Sequence, residues 1–157
     1  MTDIALVWDP ALACADITVS KGDLVADRGL RTAVLISLFT DELARPDDAL
    51  PDGTDDRRGW WGDTPVEGES PDPIGSRLWL LARAKRTEET RRRAETYAQD
   101  ALTWLVADGV AAAVAVAASW GGDRGEQLQL RVAIERRTAG RTAREEFTVQ
   151  WNAEAAR

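Results

Sequence analysis

The sequence predicts an α+β fold in which short N-terminal strands, about three helices and a C-terminal three-stranded antiparallel meander follow one another along the chain. Two observations indicate this class. Alternating apolar residues are confined to the two ends of the chain, and apolar residues at helical spacing are confined to its middle. Because strands and helices are segregated, a parallel βαβ sheet is disfavoured. The 157 residues are expected to form one domain, 1–157, with its own hydrophobic core.

The N-terminal segment is predicted to consist of short strands and loops over residues 3–27. Apolar residues alternate at 4–8 and again at 17–19. Lys21-Gly22-Asp23 offers a tight turn, after which Leu24-Val25 is expected to return as the partner strand.

Three helices are predicted in the middle of the chain. The first, Gly29 to Ala44, carries an apolar arc wide enough to indicate burial on more than one side, and Pro46 ends it. The second is a short helix from Gly75 to Lys85. The third begins at an N-cap, Thr87, and runs to about Ala107, where Gly109 suits the C′ position.

The C-terminal third is predicted to form the meander. In residues 110–120 the alanines favour helix, whereas the even spacing of the valines and the preceding glycine favour strand. We interpret this segment as a strand because two further alternating segments follow, residues 128–134 and 147–151. Thr138-Ala139-Gly140 is the turn between those two.

A long loop is predicted at residues 46–73. It holds five of the six prolines, four glycines and nine acidic residues, and it shows no helical or strand period. Loops of this length in compact domains are usually functional or disordered. Two adjacent tryptophans, Trp60 and Trp61, flanked by glycines, indicate a docked segment. The pair either plugs the protein's own core or contacts a partner, since tryptophan and arginine dominate interface energetics.

The residues that would carry chemistry are missing from the sequence. There is no histidine, which removes the usual general base, the usual nucleophilic triads and most zinc sites. No GxGxxG or GKS/GKT motif is present, and the acids of the loop lack EF-hand spacing. Glu88 and Glu89 need no catalytic role to account for them, because carboxylates in the first turn of a helix interact favourably with the helix dipole. We therefore predict no enzymatic activity, no cofactor and no metal.

Charge and hydropathy also limit the kinds of partner. The net charge of −7 opposes general nucleic-acid binding, although it leaves a local basic patch possible. The single cysteine, Cys14, rules out an intrachain disulfide. The longest apolar stretch, residues 110–118, is too short to span a bilayer. We expect no nucleic-acid partner and no direct membrane contact.

Three blocks of the sequence resemble a family of small tail proteins of Mu-like phages, which is named for the forty-sixth product in the Mu gene order. The first and most specific block is the run DRRGWWGD, residues 56–63. The second is Gly75 to Leu81 with Lys85 and Thr87, and the third is Ala101 to Leu105 with Asp108 to Val110. The resemblance extends over nearly the whole chain.

The resemblance implies a structural component of a contractile tail baseplate. In such a family the protein is a wedge subunit, related to the lysozyme-like wedge proteins of contractile tails and to a type VI secretion baseplate component. Its partners would be other wedge subunits, the tail hub or spike, and the sheath, within a six-fold symmetric assembly. It would reside in the virion tail baseplate after assembly in the host cytoplasm. A regulatory protein-binding module of the same fold, or a subunit of a type VI secretion or tailocin baseplate, remains an alternative.

Ten residues are candidates for partner binding or loop docking. They are Arg57, Arg58, Trp60, Trp61, Asp63, Arg77, Trp79, Phe147, Val149 and Trp151. The last three belong to the final predicted strand, residues 145–151, near the end of the chain. An exposed edge of that strand is expected to accept a strand from a neighbouring protein.

Overall fold

A computed structural model describes residues 3–12, 14–27, 29–51, 53–63, 73–122, 127–138 and 141–151. It is a mixed α and β structure with short N-terminal strands and a C-terminal three-stranded antiparallel sheet, as predicted. The number of helices is a correction. Within the described residues only two α-helices are longer than four residues, α1 (Arg31–Phe39) and α2 (Glu88–Ala101).

The N-terminal strands form three antiparallel pairs, here called the N-terminal β module (residues 3–27). The six strands are β1 (Asp3–Ile4), β2 (Leu6–Asp9), β3 (Cys14–Ile17), β4 (Val19–Ser20), β5 (Asp23–Leu24) and β6 (Ala26–Asp27). The strand β1 pairs with β6, β2 with β3, and β4 with β5. The predicted turn is confirmed, because Lys21 and Gly22 both have positive φ between the paired β4 and β5.

Helix α1 is buried on more than one side, as its wide apolar arc predicts. Val34, Leu35 and Leu38 are at most 2% exposed, and Ser37 is buried as well. Asp27 caps the helix, since its carboxylate accepts the N–H groups of Gly29 and Thr32.

The predicted extension of α1 to Ala44 is wrong. Thr40 turns to an extended conformation, and the following residues run beside Ser76 instead. The Ser76 N–H donates to the Thr40 carbonyl at 2.9 Å, and the Glu42 N–H donates to the Ser76 carbonyl at 3.0 Å. Gly75 permits this approach, because it has a φ of +109° and a Cβ there would lie 2.4 Å from the Thr40 oxygen.

The second predicted helix is a 3₁₀ helix, Arg77–Leu81, capped by the Ser76 hydroxyl. All five of its residues are buried, so the spacing of its apolar residues could not distinguish the two helix types. The third predicted helix begins at the predicted N-cap, where Thr87 Oγ1 accepts the Thr90 N–H at 3.1 Å. It ends at Ala101, and only the single turn Trp104–Ala107 follows before Gly109.

The C-terminal sheet has the order β7 (Ala113–Gly121), β8 (Gln127–Thr138) and β9 (Arg141–Trp151). The strand interpretation of residues 110–120 is therefore confirmed for residues 113–120, whereas residues 110–112 precede the strand. Alternate residues of the central strand, Leu128, Leu130, Val132 and Ile134, are at most 1% exposed and belong to the same core as α1, α2 and the 3₁₀ helix. The predicted turn residues Ala139 and Gly140 lie outside the described residues.

Candidate partner-binding site

The two arginines of the DRRGWWGD run fasten the long loop to the body of the protein. The guanidinium of Arg57 donates to the carbonyl oxygens of Arg45 and Pro46. Arg58 forms an ion pair with Asp41 at 2.7 Å, and its guanidinium carbon lies 4.6 Å from the centre of the Trp79 ring. Both arginines therefore hold the loop against the body of the protein.

Arg77 and Trp79, which belong to the second block, are buried inside the protein. The Arg77 side chain is only 5% exposed and lies 3.3 Å from both Asp48 and Asp100. The Trp79 side chain is 3% exposed, and its Nε1 donates to the Glu42 carbonyl at 2.9 Å. Burial raises the pKa of Glu42, although the neighbouring Arg77 charge opposes that effect. Neither Arg77 nor Trp79 is available to a partner.

The tryptophan pair is oriented outwards. Trp61 is 82% exposed and Trp60 is 44% exposed, so the interpretation of the pair as a plug of the protein's own core does not hold. The Trp60 ring lies over Gly62, where a Cβ would be 2.3 Å from the indole. Asp63 closes the segment, because its N–H donates to the Trp60 carbonyl and its Oδ1 accepts the Ile74 N–H at 3.1 Å. The loop therefore presents the two indoles on a short, braced turn.

A groove of about 390 Å³ lies beside Trp60. Residues from all three family blocks and from α1 meet in its walls, including Ile36, Trp60, Ile74, Gly75, Ala101 and Trp104. The Trp104 Nε1 donates to Ser37 Oγ at 3.0 Å, which fixes that indole against α1. The three blocks thus converge on a mainly apolar groove that contains two tryptophans and whose lining also includes Asp3 and Asp108.

One edge of the C-terminal sheet is closed by side chains of α2. The Gln99 amide donates to the Val114 carbonyl and accepts the Val116 N–H, at 3.2 and 3.0 Å. One turn earlier, Glu95 accepts the Ala118 N–H at 2.9 Å, and Arg91 donates to the Ala118 carbonyl at 3.0 Å.

The fit between the side chains of α2 and the backbone of β7 depends on the repeat distances of a helix and of a strand. Four residues along a helix rise about 6.0 Å, and two residues along a strand rise about 6.8 Å. Side chains at helix positions i, i+4 and i+8 can therefore reach every second residue of a neighbouring strand. This function of Arg91, Glu95 and Gln99 was not predicted, although their i, i+4, i+8 spacing is visible in the sequence.

The opposite edge, on β9, is largely open. Phe147 is half-buried, and Val149 and Trp151 are 6% and 4% exposed, so these predicted site residues face the core with their side chains. The Trp8 Nε1 donates to the Gln150 carbonyl at 2.8 Å, which shows that this carbonyl points away from β8. Since backbone groups alternate in direction, those of residues 144, 146 and 148 point the same way. In the described chain no strand pairs with them.

The described residues hold no arrangement suited to a metal. No group of three or more His, Cys, Asp or Glu side chains within them could bind one. None of the helices in the described part of the chain is long and apolar enough to cross a membrane. The exposed indoles, the mainly apolar groove and the open strand edge are features suited to binding other protein chains.

Comparison with known proteins supports the resemblance carried by the three blocks. The family described as "Phage protein GP46" matches residues 30–142, a segment that contains all three blocks. The "Baseplate protein gp46" of Escherichia phage Mu is 49% identical over 118 residues, covering 75% of this chain and 77% of the relative. The "Mu-like prophage FluMu protein gp46" of Haemophilus influenzae is 40% identical over 119 residues, covering 76% and 77%. The chain therefore belongs to the GP46 family of phage proteins.

Proposed function

We propose that this chain is a wedge subunit of the baseplate of a Mu-like contractile tail, where it acts in assembly and catalyses no reaction. Its similarity to the Mu baseplate protein makes it a structural component of a phage baseplate. The wedge position, the six-fold setting and the neighbours (other wedge subunits, hub or spike, and sheath) are our inference. Both relatives come from a phage or a prophage, which favours this function over a regulatory binding module.

The observation that carries the proposal is the asymmetry of the sheet edges. Side chains of α2 satisfy the β7 edge, whereas the outward backbone groups of β9 between residues 144 and 148 have no strand beside them in the described chain. Exposed edges are normally blunted, because they accept strands from other chains. An assembly protein that closes one edge and leaves the other open directs a neighbour to β9.

Deletion of residues 145–157 would be a poor test of this edge. It removes the Val149 and Trp151 side chains from the core, so the domain itself would be destabilised. A proline at an outward-facing position removes only the N–H that a partner strand would use, and edge strands tolerate proline.

We therefore compare Thr148→Pro with Thr148→Ala, which keeps the N–H. Both variants are produced from a Mu-like prophage that lacks its own copy of the gene. Thr148→Ala should give normal tails. Thr148→Pro should fold, as judged by circular dichroism and thermal melting, but give few or no assembled tails in electron micrographs. Normal tails from a folded Thr148→Pro protein would refute strand addition at β9, and Glu146→Pro, compared with Glu146→Ala, repeats the test at a second outward position.

A further inference from the structure

The N-terminal β module lies outside the segment matched to the family, which begins at residue 30. Its base is well anchored to the body. The Thr32 hydroxyl donates to the Ile4 carbonyl at 2.9 Å and accepts the Leu6 N–H at 3.2 Å. Trp8 stacks on Phe39, with ring centres 3.7 Å apart. The module is thus held in a definite position on α1.

Its tip is formed by β4, β5 and their turn (residues 19–24). Within the part of the chain that the structure describes, the tip's backbone is joined to the rest of the module only at its base. The Val25 N–H donates to the Thr18 carbonyl, and the Ala5 N–H donates to the Val25 carbonyl, both at 2.8 Å. Beyond that junction every residue from 19 to 24 is exposed. An isolated two-stranded hairpin is marginally stable in water at best, so this tip gains from being covered.

Exposed aliphatic side chains are concentrated on the module. The cross-strand pair Val19 and Leu24 is 60% and 45% exposed, and Ile17, Val7 and Leu12 are 51%, 51% and 71% exposed. Scattered apolar side chains are normal on a surface, but five exposed aliphatic side chains within one small module favour an interaction site.

The same element is acidic. Asp9, Asp16 and Asp23 are exposed, and each accepts a hydrogen bond from a nearby backbone N–H. None of the three pairs with a basic side chain in the described part of the chain. Lys21 is the only basic residue between positions 3 and 27. The module as a whole therefore combines exposed aliphatic side chains with an excess of negative charge, since it holds five aspartates and one lysine.

We infer that the N-terminal β module is a docking site for a different tail protein, whose contact surface carries aliphatic side chains beside lysine or arginine. Charge complementarity selects this occupant. Two copies of the module would repel each other, since each holds five aspartates and one lysine. The inference rests on the proposed baseplate function, because it takes the partner from the same particle.

The test is photo-crosslinking within assembled tails. A benzoylphenylalanine replaces Val19 in the full chain, which is produced from the prophage system described above; after irradiation of purified tails, the linked peptides are identified by mass spectrometry. The control carries the same group at Thr96, which is exposed on α2 outside the module. Position 19 should link to a peptide of another tail protein that contains lysine or arginine beside aliphatic residues.

A link from position 19 to a second copy of this chain, a link to a peptide without basic residues, or no link at all would overturn the inference. If the chain is absent from purified particles, the baseplate function itself fails; if it is present but unlinked at position 19, only the docking site fails. Asp23→Lys is a second variant, matched by Asp23→Asn, which retains the oxygen that accepts the Leu24 N–H. Charge reversal should reduce incorporation into tails more than neutralisation does, and equal incorporation of the two variants would count against a basic partner.

Discussion

Replacing Arg77 by methionine should destabilise the domain strongly. The side chain is 5% exposed, lies 3.3 Å from Asp48 and from Asp100, and has its guanidinium 4.6 Å from the Tyr97 ring centre. Methionine keeps most of the apolar stem but removes the charge, so Asp48, whose side chain is 13% exposed, loses its buried partner. Breaking a buried ion pair costs about 3–5 kcal/mol.

The lower end of that range applies here, because the Asp100 side chain is 45% exposed and remains solvated. A loss of about 3 kcal/mol of unfolding free energy corresponds to a fall in Tm of about 6–12 °C for a domain of this size. Thermal unfolding followed by circular dichroism measures the change. The matched control is Arg92→Met, since the Arg92 side chain is 73% exposed and, among the described residues, pairs only with Glu88. That pair should contribute less than about 1 kcal/mol. Melting temperatures within about 2 °C of each other would refute the claim that Arg77 joins the loop to α2.

Three other substitutions test the helix cap and the tryptophans. Burial opposes ionisation of Asp27, but the N–H groups of Thr32 and Gly29 outweigh it and lower the pKa of that carboxyl. The wild type should therefore have a higher unfolding free energy than Asp27→Asn near pH 7, and this difference should disappear as the pH falls through and below the ordinary carboxyl pKa. Urea unfolding of both proteins near pH 7 and at about pH 3 measures the difference. A difference at about pH 3 as large as that at pH 7 would contradict the prediction. Trp61→Ala should change the unfolding free energy by less than about 0.5 kcal/mol, as expected for a surface position, whereas Trp79→Ala should cost about 3–5 kcal/mol. Similar thermal melting of the two variants would contradict their assigned exposures.

The sequence was a good guide wherever the signal is local. The alternation in residues 128–134 predicts a half-buried strand, and the structure has it with one face in the core. The cap at Thr87 and the left-handed Gly109 were also predictable, because caps depend on a few neighbouring residues. The family blocks needed no structure either, since a resemblance is carried by residue order alone.

Only the tertiary structure decided where distant segments meet. The helix α1 stops at Phe39 because residues 40–42 gain hydrogen bonds to Ser76, a partner more than thirty positions away. The sequence treated Arg77 and Trp61 alike as candidate contacts, yet one is buried among carboxylates and the other faces solvent. Likewise, nothing local in β7 or β9 indicates which sheet edge remains open. That choice depends on α2 lying along β7, and helix packing of this kind is set by the summed burial of many side chains across the core.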